Sequence, residues 1–351
     1  MKIKSGILLG PALLLASSLF AQMAGAPTLG TTTTTPTPMT EKEVITELKK
    51  DGADTLIKDL GRRGVDFETD ADIEKRLRKA HATDDVVKAV KAAGPKEREN
   101  AAKAAIIASG GIVVPPEENA AFEPIKTELD PDKAIAMAES FVQKYPKSPL
   151  LSYAYAFEAN AYQMKQNVAK IVECGEKSLE YKKDNLMSLM LVAYAIPTPQ
   201  YVQLHGSDEE TQLTKGEDYA QEAIKTVSTL PKPPNESDAD FASRKATYLA
   251  DLHADLGMIH LDRAQLGLMG LDKEELAKAE KEYRVAVTST DKPDPSAYYR
   301  MGEACRLQGK LDDAIAAFTK ASALWPPTMK KYADDQIELV KKMKAAAPPA
   351  K

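Results

Sequence analysis

The chain holds four histidines and two cysteines, the side chains with the widest chemical range, and their spacing sets what reactions it could support. His253 and His260 stand seven residues apart on one helical face, with Asp251 and Asp255 nearby. This is one place where a metal or an acid–base pair could assemble. Zinc-binding helices, however, place their histidines at i and i+4. A second candidate for small-ligand chemistry is the segment around His205, while His81 falls in a turn. The chain has no H-E-x-x-H, G-x-S-x-G, P-loop or paired Cys-x-x-Cys motif. Cys174 and Cys305 lie in separate segments. Free, partly buried thiols are expected, because a disulfide needs α-carbons within about 7 Å. The expectation is therefore no catalytic residue, no metal and no cofactor. The rival is a small-ligand binder or metal-dependent enzyme built on the His253/Asp255 face.

Any such side chains must be positioned by helices. Glycine is scarce, at 18 of 351 residues, and abundant Ala, Glu, Lys and Leu suit a helical protein. Lys and Arg are spread through a chain of formal charge −5 with no basic block, which argues against nucleic acid as a partner. Lys2 and Lys4 precede an apolar run over residues 6–20, followed by small residues at Ala21 and Ala24. That order is the one found in secretory signals. The run is shorter than the ~20 residues a membrane-spanning helix needs. Residues 1–21 are expected to be cleaved, leaving no transmembrane anchor, and losing Lys2 and Lys4 takes the charge from −5 to −7. The chain is expected to be exported, periplasmic or extracellular, in association with the envelope. Residues 22–40, rich in Thr and Pro, read as an extended linker.

Residues 41–94 contain a short internal repeat. Val44, Leu48 and Ala53 recur 29 positions on as Ile73, Leu77 and Ala82, and Ile57 and Leu60 recur 30 positions on as Val87 and Val90. Each copy reads as helix, turn, helix, and the pair as a small four-helix module with Phe67 in its core. Helix-turn-helix spacing invites a DNA-binding reading, but an export signal and balanced charge oppose it, so a protein-docking module is expected. Residues 95–130 read as an Ala-rich helix closed by Gly110-Gly111, then a linker from Ile112 through Pro116 and the acidic residues after it.

From residue 131 to 328 the pattern is one of paired helices. Its most regular unit, Pro295 to Pro326, places Tyr298, Gly302, Ala314, Phe318, Ala321 and Pro326 so that small residues let two antiparallel helices approach and large ones fill the space beside them. Gly309 suits a left-handed helix end. Gly257, His260, Ala279 and Tyr283 repeat the arrangement, with 22 residues between Gly257 and Ala279 against 12 between Gly302 and Ala314. Tyr162, Ile171 and Gly175 mark an earlier unit. Residues 186–196 form a first helix broken at Pro197, with its second helix over 209–230. Near residue 131 only a second helix is evident, so the array begins with half a repeat or borrows the preceding segment. Residues 329–346 should cap the stack, with a tail over 347–351.

These residues resemble the tetratricopeptide-repeat (TPR) family, and with the leader the chain resembles an exported bacterial TPR protein. The resemblance implies an all-α, right-handed solenoid of helical hairpins whose first helices line a groove that binds a protein or peptide partner. By register, the groove positions are Tyr153, Asn160 and Gln163; Met187, Met190 and Tyr194; Asp251 and Met258; and Tyr299, Glu303 and Arg306. His260 falls at a packing position of the repeat. The family's carboxylate clamp uses Lys and Asn, and Asn160 alone matches it. The function implied is a non-enzymatic scaffold in the cell envelope, with self-association through the solenoid ends as a further alternative.

Overall fold

The computed structural model describes residues 37–108, 111–205, 208–233, 235–266 and 270–346. The expected signal segment, most of the Thr/Pro linker and the C-terminal tail lie outside the described residues. Seventeen α-helices are present among those described. They divide between two compact units, one ending at Pro115 and the other beginning at Pro116.

The first unit holds α1 (Glu41–Asp51), α2 (Ala53–Arg63), α3 (Ala71–Lys79), α4 (Asp84–Ala92) and α5 (Pro95–Ala108). Its first helix is fixed by local chemistry. The Thr40 hydroxyl accepts from the Glu43 amide at 3.3 Å, and the Thr40 amide donates to the Glu43 carboxylate at 2.8 Å. Met39, just before this capping box, is fully buried, as is Val44 in the next turn, so the two occupy the staple positions that set the entry angle of a helix. The Met39 amide also bonds the Gly64 carbonyl at 2.9 Å. The Thr/Pro linker therefore stops short of residue 40, because an apolar side chain and a cap begin the fold there. Val44, Leu48, Leu60, Ile73, Leu77, Val87 and Val90 form the core, joined by Leu56 and Val86, while Ile57 and Phe67 are only partly buried. His81 is exposed in the α3–α4 turn at φ +66°.

The second unit is a stack of five hairpins and a cap. The hairpins are α6 (Pro116–Thr127) with α7 (Pro131–Lys144), α8 (Leu151–Met164) with α9 (Val168–Tyr181), α10 (Leu186–Ala195) with α12 (Glu209–Thr229), α13 (Asp238–Arg263) with α14 (Lys273–Thr288), and α15 (Pro295–Leu307) with α16 (Leu311–Leu324). The short α11 (Pro199–His205) fills part of the insertion inside the third hairpin, and α17 (Pro327–Ala346) covers the last. The acidic stretch read as linker is helical from Pro116. Phe122 and Ile125 are buried there, Phe122 edge-on to Phe141 and Phe157 at ring separations of 5.5 and 5.9 Å. Two apolar residues three apart share one helix face, and their burial against the next two helices holds the element in place. The array thus borrows the preceding segment as its first helix.

Close approach within hairpins depends on glycine. A Cβ on Gly302 would lie 2.8 Å from the Phe318 ring, and one on Gly257 would lie 2.9 Å from the Tyr283 ring. Gly309 turns α15 into α16 at φ +77°, with the Lys310 amide bonded to the Cys305 carbonyl at 2.9 Å. Between hairpins, a buried hydroxyl chain ties α8, α9 and α10 together. Ser188 donates to the Ser178 hydroxyl at 2.7 Å, Ser178 donates to the Ser152 carbonyl at 2.7 Å, and Asn185 donates to the Ser152 hydroxyl at 2.9 Å. Cys174 and Cys305 are free and buried.

Candidate functional site

In the second unit the first helices of successive hairpins touch one another: α6 meets α8, α8 meets α10, α10 meets α13, and α13 meets α15. The second helices make no comparable row of contacts. A stack that closes on one side is concave there, so the first helices line the inner face. Side chains on that face are surrounded by protein while water still reaches them.

The long helix α13 supplies most of this face. It is capped by Ser237, whose hydroxyl accepts from the Asp240 amide at 3.1 Å. Toward α14 it presents His253 and His260, bonded through Nδ1 to Glu282 at 2.6 Å and to Glu275 at 2.7 Å. The His253 bond holds Glu282 below the usual carboxylate range. Toward α12 it presents Arg263, which pairs with Glu210 and Glu217, both at 2.8 Å. These contacts fix its rotation, and Asp251, Asp255, Met258 and Asp262 then share the remaining face, at i, i+4, i+7 and i+11. All four are partly buried.

The electrostatics of this face are unusual. Asp251, Asp255 and Asp262 accept no hydrogen bond and join no ion pair with another described residue, and all three carboxyls are pushed up by burial. Asp251 reaches about 7, with Asp294 adding to the effect. Asp255 rises well above the ordinary range, with Asp251 adding to it. Asp262 also reaches about 7, with the Arg300 guanidinium pulling it down and Glu209 and Glu303 pushing it up. From α10, Tyr194 faces the same charges, its phenol raised by burial and by Asp255 and Asp294. From α14, the Tyr283 side chain is 1 % exposed, its hydroxyl unpartnered among Arg300, Asp262, Glu303 and Asp255.

The groove positions expected from the repeat register divide into two groups. Asn160, Gln163, Tyr194, Asp251, Met258 and Arg306 are partly buried. Tyr153, Met187, Met190, Tyr299 and Glu303 are not offered to a partner, at 9 %, 2 %, 8 %, 3 % and 8 % exposed. Tyr299 packs against Phe318 and Trp325, each ring at 5.2 Å, because the closing hairpin seals its own core. Met190 joins a core with Leu189, Ala220 and Leu252, and Glu303 pairs with Arg300 at 2.8 Å. Gly257, Ala279, Tyr283, Gly302, Ala314, Phe318 and Ala321 are buried, and Tyr162 and Tyr298 are half-buried. Pro326 is exposed between α16 and α17. Register reasoning missed Asp262 and gave Tyr283 a packing role alone, and the search for metal ligands placed Asp255 with His253. Residues two apart on a helix point to nearly opposite sides, and the structure separates these two. Among the described residues, no group of three His, Cys, Asp or Glu side chains is placed to hold a metal. The His205 ring lies tilted against that of Tyr201, 4.3 Å between centroids.

The geometry defines an all-α protein of stacked helical hairpins with a concave first-helix face. Residues 125–148 match the family model described as a tetratricopeptide repeat. Comparison with curated proteins returns no match. Among solved structures, the chain is similar to a thermophilic TPR protein of Thermus thermophilus, at 18 % identity and a TM-score of 0.39, over 60 % of this chain and 91 % of that one.

Proposed function

We propose that this chain is a non-catalytic interaction scaffold, exported to the bacterial envelope, that holds a segment of a protein partner along the inner face of α8, α10 and α13. The observation that supports this is the set of partly buried side chains there, Asn160, Tyr194, Asp251, Asp255, Met258 and Asp262, none of which the core of its own hairpin requires. A preformed row of helices presents such a surface with little rearrangement. The tetratricopeptide match at residues 125–148 agrees with a protein-binding role. The test is a photo-crosslinking residue placed at Met258 on the inner face, compared with one at Lys281 on α14. Crosslinks from Met258 alone are expected, and crosslinks from Lys281 alone would move the site off the groove.

The proposed export rests on Lys2, Lys4 and the apolar run after them. The mature protein recovered from a bacterial host should lack residues 1–21, and recovery of the intact chain inside the cell would refute it. A second reading, self-association, is favoured by the end of the stack. There Leu339 and Met343, at i and i+4 on α17, are 43 % and 38 % exposed, and Leu324 of α16 is 52 % exposed. Light scattering of the mature chain and of a Leu339→Lys, Met343→Lys variant separates the two readings.

A further inference from the structure

We propose that the occupant of the inner face is an extended segment carrying lysine or arginine, gripped by Asp251, Asp255 and Asp262 with Tyr194 and the Tyr283 hydroxyl beside them. The inference rests on the groove reading above and names the chemistry it selects.

Three carboxylates along one helix face repel one another, and like charges four apart destabilise a helix. Elsewhere on α13 the charges are matched: His253 with Glu282, His260 with Glu275, and Arg263 with Glu210 and Glu217. On the inner face no described side chain bonds the carboxylates, and the charges that act on Asp251 and Asp255 are themselves carboxylates, Asp294 and Asp251. Arg300 is shared among Glu303, Tyr283 and Asp262 at the far end of the row. Carboxyls crowded and buried in this way hold their protons until a positive charge arrives, and a bound lysine or arginine would supply the charge that ionises them.

The second observation is Tyr283. Its ring lies under Gly257, and its hydroxyl, buried and without a partner, is aimed into the seam between α13 and α15. An orphaned buried hydroxyl costs free energy in the empty state, and a bound segment that opens the α13–α15 seam would give it a backbone carbonyl as acceptor. The Asp251–Asp255 spacing also suits neighbouring same-side residues of an extended chain, with Asp262 beyond them. At 1.5 Å per residue, Asp251 and Asp255 lie about 6 Å apart along the axis and Asp262 about 10 Å further. Side chains on one side of an extended peptide recur every ~6.7 Å. Tyr194 completes the site as an aromatic neighbour for an ammonium or guanidinium group.

The test uses the full chain and labelled peptides that alternate serine with lysine, with glutamine or with glutamate, and it reads fluorescence anisotropy at low and physiological ionic strength. Two variants each replace three carboxyls: an inner one, Asp251→Asn, Asp255→Asn, Asp262→Asn, and an outer one, Glu180→Gln, Asp184→Asn, Asp218→Asn, at exposed positions. The lysine peptide should bind best, weaken about tenfold in the inner variant and hold in the outer one. Equal weakening in both variants would show a diffuse field and overturn the proposal. Preference for the glutamine or glutamate peptide, still crosslinking to α13, would overturn the charge class while leaving the groove reading intact. Binding by no peptide, or crosslinks only to second helices, would overturn both. The inner variant should also melt at a higher temperature than the parent, since its carboxylates oppose folding, and a lower melting temperature would make them structural and overturn the proposal.

Discussion

Gly302 and the Phe318 ring illustrate how single residues set this fold. A Cβ at residue 302 would sit 2.8 Å from a fully buried ring, and overpacking of that kind costs about 1–3 kcal/mol. The gain in helix propensity returns about 1 kcal/mol. Gly302→Ala should therefore lower the urea midpoint modestly, and an unchanged or higher midpoint would show that the ring can move aside. The inner-face carboxylates make a second prediction, in pH. A carboxyl held near 7 when folded and near its ordinary value when unfolded binds its proton more tightly in the folded chain. The stability it contributes is thus present at low pH and lost as pH rises through about 7. The groups facing these carboxyls are Tyr194 of α10, Glu209 of α12, Tyr283 of α14, and Asp294, Arg300 and Glu303 around α15. The stability gap between the Asn triple variant and the parent should be widest near pH 8 and shrink toward pH 4, as followed by thermal melts. A gap that grows on acidification would contradict this assignment. Tyr283→Phe removes an unpartnered hydroxyl and should leave stability equal or higher while weakening the lysine peptide.

Helical elements were largely legible in the sequence because their signals are local. Thr40 with Glu43, Asp130 with Pro131, and Gly309 each mark a boundary by chemistry within a few residues, and α1, α7 and the α15–α16 turn begin or end there. Thr40→Ala should cost the first unit about 1 kcal/mol, read from its own unfolding transition. Two elements were missed, the short α11 in the insertion and α6, whose helical signal is two buried residues, Phe122 and Ile125, with Pro124 between them. Only tertiary contact with Phe141 and Phe157 secures it. The candidate site was less legible. Register placed Tyr194, Asp251 and Met258 on the inner face but also assigned Tyr299 there, which the last hairpin and α17 enclose. Asp262 had a signal, since it lies eleven residues from Asp251, three full turns on. Tyr283 had none, because its hydroxyl reaches the seam from a second helix through the space left by Gly257.

The second unit as a whole behaves as a one-dimensional stack, each helix packed on its neighbours in the chain. Removing α17 takes Ala333 and Val340 out of the core they share with the last hairpin, so a chain ending at residue 326 should lose protection first in α15 and α16 and only later in α8 and α9. Simultaneous loss throughout would show tighter coupling than neighbour contacts provide. That architecture suits a scaffold: a rigid row of first helices, with the least matched charges of the stack collected on the longest of them. Hydrogen exchange on the full chain, with and without the lysine–serine peptide, tests this most directly. The account predicts added protection concentrated in α10 and α13, and at the α13–α15 seam. Protection confined to α14 and α16, or none in α13, would contradict it.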